Sequence, residues 1–200
     1  MLNAFPLNAV PFNGAAPRDA SGLPRPVISN PLERMEVYLL QIGDGRVPMS
    51  SFQASMRLAG KSFLQVIVPA GSAVLPALEY GVPMQVSLGY YHPSDDEFDG
   101  LETIAQAPLE VIRSDEGPTR KTLSLSGYGQ AAQPAALTRQ LVGVSGRSIN
   151  QSRRRVRCSV DLLLRPGDTA IDADGTEFQV GQIQYFVNAT AAAMEVLENG

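Results

Sequence analysis

The sequence predicts a mainly β fold, a small barrel or sandwich with at most one or two short helices, preceded by an extended arm. Three observations predict it. Apolar and polar residues alternate at period two in segment after segment from Met35 onward. The chain holds 18 glycines and 15 prolines in 200 residues, above the roughly 12% usual for the pair, which favours turns and short strands. Helical spacing of apolar residues is confined to short stretches.

Residues 1–30 form the arm. They contain Pro6, Pro11, Pro17, Pro24 and Pro26, and proline suits neither a helix interior nor a central strand. A period-five repeat runs Leu2-Asn3-Ala4-Phe5-Pro6, Leu7-Asn8-Ala9-Val10-Pro11, Phe12-Asn13-Gly14. A merely solvated tail has no need of Leu2, Phe5, Leu7, Val10 and Phe12. Two readings stay open, a solvated tail and an arm that buries these residues on a neighbouring subunit; stretched out, the segment reaches on the order of 100 Å.

The following residues divide into a β domain over 31–130 and a set of C-terminal strands over 131–200 that forms or completes a small barrel. Met35, Val37 and Leu39 alternate with Glu36 and Tyr38, and Asp44-Gly45 signals a hairpin. Phe52, Ala54 and Met56 alternate with Gln53, Ser55 and Arg57. The nearly continuous apolar run from Phe63 to Val68 predicts a strand buried on both faces. Met84, Val86, Leu88 and Tyr90 form another strand, as do Leu109 with Val111 and Leu123 with Leu125. Pro134 followed by Ala135, Ala136, Leu137 and Leu141 suggests one short helix, and residues 73–80 a second.

The C-terminal quarter reads most clearly. Val156, Cys158, Val160, Leu162 and Leu164 point one way, with Arg155, Arg157, Ser159 and Asp161 opposite. Arg165-Pro166-Gly167-Asp168 makes a turn. Phe178 and Val180 share a parity that Ile183, Tyr185 and Val187 break, so Gly181 marks a β-bulge. Met194 and Val196 form the last strand.

One cysteine and one histidine exclude a Cys/His zinc site, an iron–sulfur cluster and a disulfide framework within one chain. A net charge of -4 argues against a general nucleic-acid binder. The first residues lack the basic n-region and apolar core of a signal peptide, no segment has a transmembrane length of apolar residues, and unpaired Cys158 fits synthesis in a reducing cytoplasm. Asp95, Glu97, Asp99 and Gly100 imitate the start of a calcium loop, but Gln106 stands where a bidentate carboxylate is required, so a solvated acidic loop is expected. His92 has no nucleophile-elbow motif to serve and reads as an edge or interface residue. No phosphate-binding glycine loop occurs. No catalytic, metal or cofactor residue is therefore assigned.

The charges are segregated. Residues 95–116 carry Asp95, Asp96, Glu97, Asp99, Glu102, Glu110, Asp115 and Glu116 against Arg113. Residues 139–165 carry Arg139, Arg147, Arg153, Arg154, Arg155, Arg157 and Arg165 against Asp161. On opposite flanks, these would let each subunit present acid to its neighbour's base, a head-to-tail contact that closes into a ring when the rotation allows. The candidate interface residues are thus the apolar positions of the arm with Asp95, Asp96, Glu97, Asp99, Arg147, Arg153, Arg154, Arg155 and Arg157.

Several segments resemble tailed-bacteriophage virion proteins. The opening Leu-Asn-Ala-x-Pro repeat is similar to their N-terminal arms. Val47-Pro48-Met49-Ser50-Ser51-Phe52-Gln53-Ala54, Ser62-Phe63-Leu64-Gln65-Val66-Ile67-Val68-Pro69 and Thr122-Leu123-Ser124-Leu125-Ser126-Gly127-Tyr128-Gly129 resemble tail-tip or baseplate proteins of hub-like or distal-tail-like type. Leu164-Arg165-Pro166-Gly167-Asp168-Thr169 and Phe178-Gln179-Val180-Gly181-Gln182-Ile183-Gln184-Tyr185 are similar to the closing β-barrel of such hubs. The resemblance implies a three-fold or six-fold ring around the tail axis. It also implies contacts to the tail tube or tape-measure end above and to hub, spike or fibre proteins below. Such a ring leaves a path for DNA without specific binding, and neither enzymatic activity, cofactor nor membrane anchor is implied. The alternatives from other classes are a β-rich glycan- or receptor-binding module using Tyr80, Tyr90 and Tyr91, and a cell-wall hydrolase using His92 with the carboxylates of residues 95–102.

Overall fold

The computed structural model describes residues 35–70, 78–93, 97–116, 121–132, 136–150, 153–161, 163–188 and 190–200. The arm residues Leu2, Phe5, Leu7, Val10 and Phe12 lie outside these, as do Asp95, Asp96 and Leu162.

The described chain is built from strands, with no helix among its residues. They are β1 (Met35–Ile42), β2 (Gly45–Val47), β3 (Ser51–Arg57), β4 (Ser62–Pro69), β5 (Pro83–His92), β6 (Glu97–Pro108), β7 (Val111–Glu116), β8 (Lys121–Gly129), β9 (Thr138–Gln140), β10 (Gly146–Asn150), β11 (Arg153–Cys158), β12 (Thr169–Ile171), β13 (Glu177–Asn188) and β14 (Ala192–Glu198). One sheet runs β2-β1-β5-β6. The larger runs β10-β11-β14-β13-β3-β4-β8-β7, with β12 pairing β13 and, in parallel, β9. Neither sheet closes: the first ends at β2 and β6, the second at β10 and β7. Of the barrel and sandwich alternatives, the structure takes open sheets packed together.

Alternation explains which faces meet. Ala54 and Met56 of β3, Leu64, Val66 and Val68 of β4, Val156 of β11, Ile183, Tyr185 and Val187 of β13, and Met194 and Val196 of β14 all enter one core. From the smaller sheet come Tyr38, Leu40 and Ile42 of β1 and Met84, Val86 and Leu88 of β5. Fully burying each large apolar side chain contributes about 1.5–3 kcal/mol. Tyr38 and Phe52 join the sheets through tilted rings 5.4 Å apart. The end of β6 lies against β8 so closely that a Cβ at Gly127 would run into the Pro108 carbonyl oxygen. Only glycine fits there.

Several expectations are met and several corrected. Gly181 does mark a bulge, where the register of β13 on β14 shifts between Val180 and Gln182. Arg165–Asp168 is a turn closed by the Asp168 N–H donating to the Arg165 carbonyl at 3.1 Å. The first hairpin forms with Gly43 and Asp44 as its loop, and the left-handed φ of 57° falls on Gly43 instead of Gly45. In β1 the buried set is Tyr38, Leu40 and Ile42, with Leu39 also enclosed, while Met35 is 56% exposed. The face read from Met35, Val37 and Leu39 is therefore the wrong one. Tyr38 belongs inside because its ring packs while its hydroxyl makes it look polar. Phe63 and Ile67 are only half-buried, so β4 alternates and is not enclosed on both faces. Leu109 is buried between strands and Val111 is exposed, so they share no face. Residues 136–141 form no helix: the Thr169 N–H donates to the Leu137 carbonyl and the Leu141 N–H to that of Ile171, which ties Thr138–Gln140 to β12 as a strand.

Candidate assembly surface

The arginines singled out by sequence lie on the β10–β11 hairpin, and the pleat sorts them. In β11 the side chains of Arg153, Arg155 and Arg157 point outward, while Arg154 shares its face with buried Val156 and Cys158. Arg147 of β10 stands opposite Val156 and so reaches the same side as Arg154.

Both inward arginines meet one carboxylate. Arg147 Nε donates to Asp172 Oδ2 at 2.8 Å and to Oδ1 at 3.0 Å, and Arg154 Nη1 donates to Oδ2 at 2.9 Å. Asp172 is 1% exposed. A buried carboxylate is stable only when paired and fully hydrogen-bonded, and the Ala173 N–H adds a further donor at 2.6 Å. Asp172 begins the tight link between β12 and β13, where its N–H donates to the Thr176 carbonyl. Asp174, on that link, accepts from Arg154 at 3.2 Å and from the Thr176 N–H at 2.9 Å. The bond from Arg147 is the chief reason the Asp172 carboxyl lies below the ordinary range. The Thr176 backbone N–H is the chief reason Asp174 falls to about 2. The same bonds raise both guanidinium groups, Arg147 through Asp172 and Arg154 through Asp174 first.

The outward arginines are less available than their number suggests. Arg155 is hydrogen-bonded to Glu195 on neighbouring β14, and Arg153 Nη2 donates to the Gly200 carbonyl at 2.9 Å. Arg157 is exposed. On the acidic side Asp99, Glu102, Glu110, Asp115 and Glu116 are exposed along β6 and the edge strand β7. Glu116 pairs loosely with Lys121 at 3.4 Å, and Glu102 lies 4.0 Å from Arg165. Glu97 opens β6, opposite His92 in register. The structure thus brings Arg147 and Arg154 together on an internal carboxylate, and the acidic flank faces outward.

A second buried carboxylate stands at the other end of β12. Asp168 Oδ1 accepts the Leu137 N–H at 2.8 Å and Oδ2 accepts the Arg165 N–H at 2.8 Å, with Arg139 Nε 3.9 Å away. Asp168, Asp172 and Asp174 were not among the sequence-derived site residues. Asp172-Ala173-Asp174-Gly175 carries a turn signature, but nothing local announces its arginine partners.

His92 is buried, not at an edge, because β5 lies between β1 and β6. Its Nε2 lies 4.0 Å from Asp99 Oδ2 and has no hydrogen-bond partner among the described residues. Those residues include no group of three or more His, Cys, Asp or Glu side chains placed to hold a metal.

Beside β5 and β11 lies an open groove of about 410 Å³. Its floor includes Leu88, Cys158 and Met194, and burial pushes the Cys158 thiol up to about 12. Val142 and Leu163 stand at its sides, 73% and 52% exposed. Glu36, Glu102 and Asp161 also line it.

No known family profile matches the sequence, and no curated protein matches it. Solved structures do. The 43 kDa tail protein of prophage MuSo2 from Shewanella oneidensis superposes with a TM-score of 0.60 at 6% identity, over 82% of this chain and 98% of that one. A tail protein from Neisseria meningitidis MC58 gives 0.55 at 7% identity, over 82% and 96%. The E. coli c3393 protein is described as a type VI secretion system component with structural similarity to the T4 bacteriophage tail proteins gp27 and gp5. It gives 0.53 at 6% identity, over 80% and 77%. This chain shares its fold with these proteins, so the sequence's resemblance to tail proteins holds at the level of fold.

Proposed function

We propose that the chain is a non-enzymatic structural subunit of a phage-tail tip or baseplate, made in the bacterial cytoplasm and built into the tail. The observation that carries this reading is a fold shared over about four-fifths of the chain with two tail proteins from separate bacteria and with a type VI secretion component described as similar to phage tail proteins, at identities of 6–7%. In this reading copies form a three-fold or six-fold ring on the tail axis, joining the tube or tape-measure end to hub, spike or fibre proteins.

Arg147 and Arg154 are held by Asp172 and Arg155 by Glu195. Ion pairs between subunits therefore play a smaller part than charge counting suggests, with Arg157 and the outward carboxylates Asp99, Glu110 and Asp115 among the charged groups open to neighbours. The apolar arm carries most of the association. Light scattering and electron microscopy of the purified full chain test this: closed rings of three or six copies are expected, and a monomer up to high concentration overturns ring formation.

A further inference from the structure

We propose that the groove beside β5 and β11 is the receptor for the apolar head of the arm, residues Leu2–Phe12, of a neighbouring copy. The inference rests on the assembly reading above and gives its arm a seat.

Four observations point there. The groove exposes the apolar side chains of Val142 and Leu163, with buried Leu88, Cys158 and Met194 behind them. The head supplies matching groups at five-residue spacing, Leu2, Leu7 and Phe12 with Phe5 and Val10 between. The groove is lined with acid at Glu36, Glu102 and Asp161, and the arm that follows the head carries Arg18 and Arg25 against Asp19. Finally, the groove reaches Glu36, next to the first described residue, yet 22 residues with four prolines separate Phe12 from Met35. Stretched at about 3.1 Å per residue, such a segment spans up to roughly 70 Å in all. That length is enough for the head to reach the groove of the next subunit.

The test uses the full chain with the photo-crosslinker p-benzoylphenylalanine in place of Phe5. This protein is mixed with heavy-isotope full-length chain by dilution and reconcentration, irradiated, digested and mapped by mass spectrometry. The expected products join a light arm peptide to heavy peptides covering 141–145 or 158–164. Crosslinks confined to the arm's own copy, crosslinks to other surfaces, or none at all would overturn the inference. Val142→Glu and Leu163→Glu, at exposed positions the fold tolerates, should each cut the crosslink yield at least about tenfold. Tyr80→Glu, equally exposed and away from the groove, should leave it unchanged. Equal yields in all three variants would also overturn it. A stable oligomer whose crosslinks map elsewhere removes the groove and spares the assembly, whereas a monomer in light scattering removes the assembly.

Discussion

Asp168 and Asp172 bracket the three-residue strand β12, one at each end, and both side chains are fully buried. Asp168 holds the backbone leading into β9 through the Leu137 N–H, and Asp172 holds the β10–β11 hairpin through Arg147 and Arg154. A strand too short to stand alone thus ties β9 and the β10–β11 hairpin to its own partner β13.

Asp172→Ala leaves two guanidinium groups without their shared acceptor. A fully buried pair broken this way costs about 3–5 kcal/mol. Arg147 and Arg154 keep access to water, so about 2 kcal/mol is expected, read as a fall in Tm and in the denaturant midpoint. Arg155→Ala, at the more exposed pair with Glu195, should cost less than about 1 kcal/mol.

The same carboxylate gives the fold an acid limit. Its folded pKa lies below the unfolded value of about 3.9, so the unfolded chain binds the proton first. Stability from Asp172 is complete above about pH 4 and is lost as pH falls through the lower folded value. Urea midpoints measured from pH 7 down to pH 2.5 should drop less steeply in Asp172→Asn than in the parent.

Cys158 predicts the opposite limb. Burial raises its folded pKa to about 12, so its contribution is complete below the unfolded value of about 8.5 and fades as pH rises toward 12. A thiol reagent at pH 8 should label the native chain far more slowly than the urea-unfolded chain. Equal rates would place the sulfur at the surface.

Tyr185 is fully buried, and its hydroxyl has no hydrogen-bond partner among the described residues. An unpaired buried hydroxyl is destabilising, so Tyr185→Phe should be neutral or raise stability by about 1 kcal/mol. Tyr185→Ala, which opens a cavity, should lower it by about 3 kcal/mol or more.

What sequence shows and what it hides follow from the range of the forces involved. The bulge at Gly181 is visible because a parity change in side chains is local, and the turn at Arg165–Asp168 because its residues set their own backbone angles. The face of β1 is misread because Tyr38 is both polar and ring-shaped, and only packing on Phe52 settles which property governs. Leu137–Leu141 has helix-forming residues, yet its backbone groups are taken by β12, a partner thirty residues on. The arginine cluster is legible as a cluster. Its role is not, because Asp172 and Glu195, which neutralise much of it, come from distant turns and strands.

The proposal that the chain self-assembles through its arm is tested most directly by native mass spectrometry of the 200-residue protein. The parent and a full-length variant carrying Phe5→Ser with Phe12→Ser would be compared at the same concentration. The account predicts a trimer or hexamer for the parent and a marked shift toward monomer for the variant. A parent that stays monomeric, or a variant that assembles equally well, would contradict it.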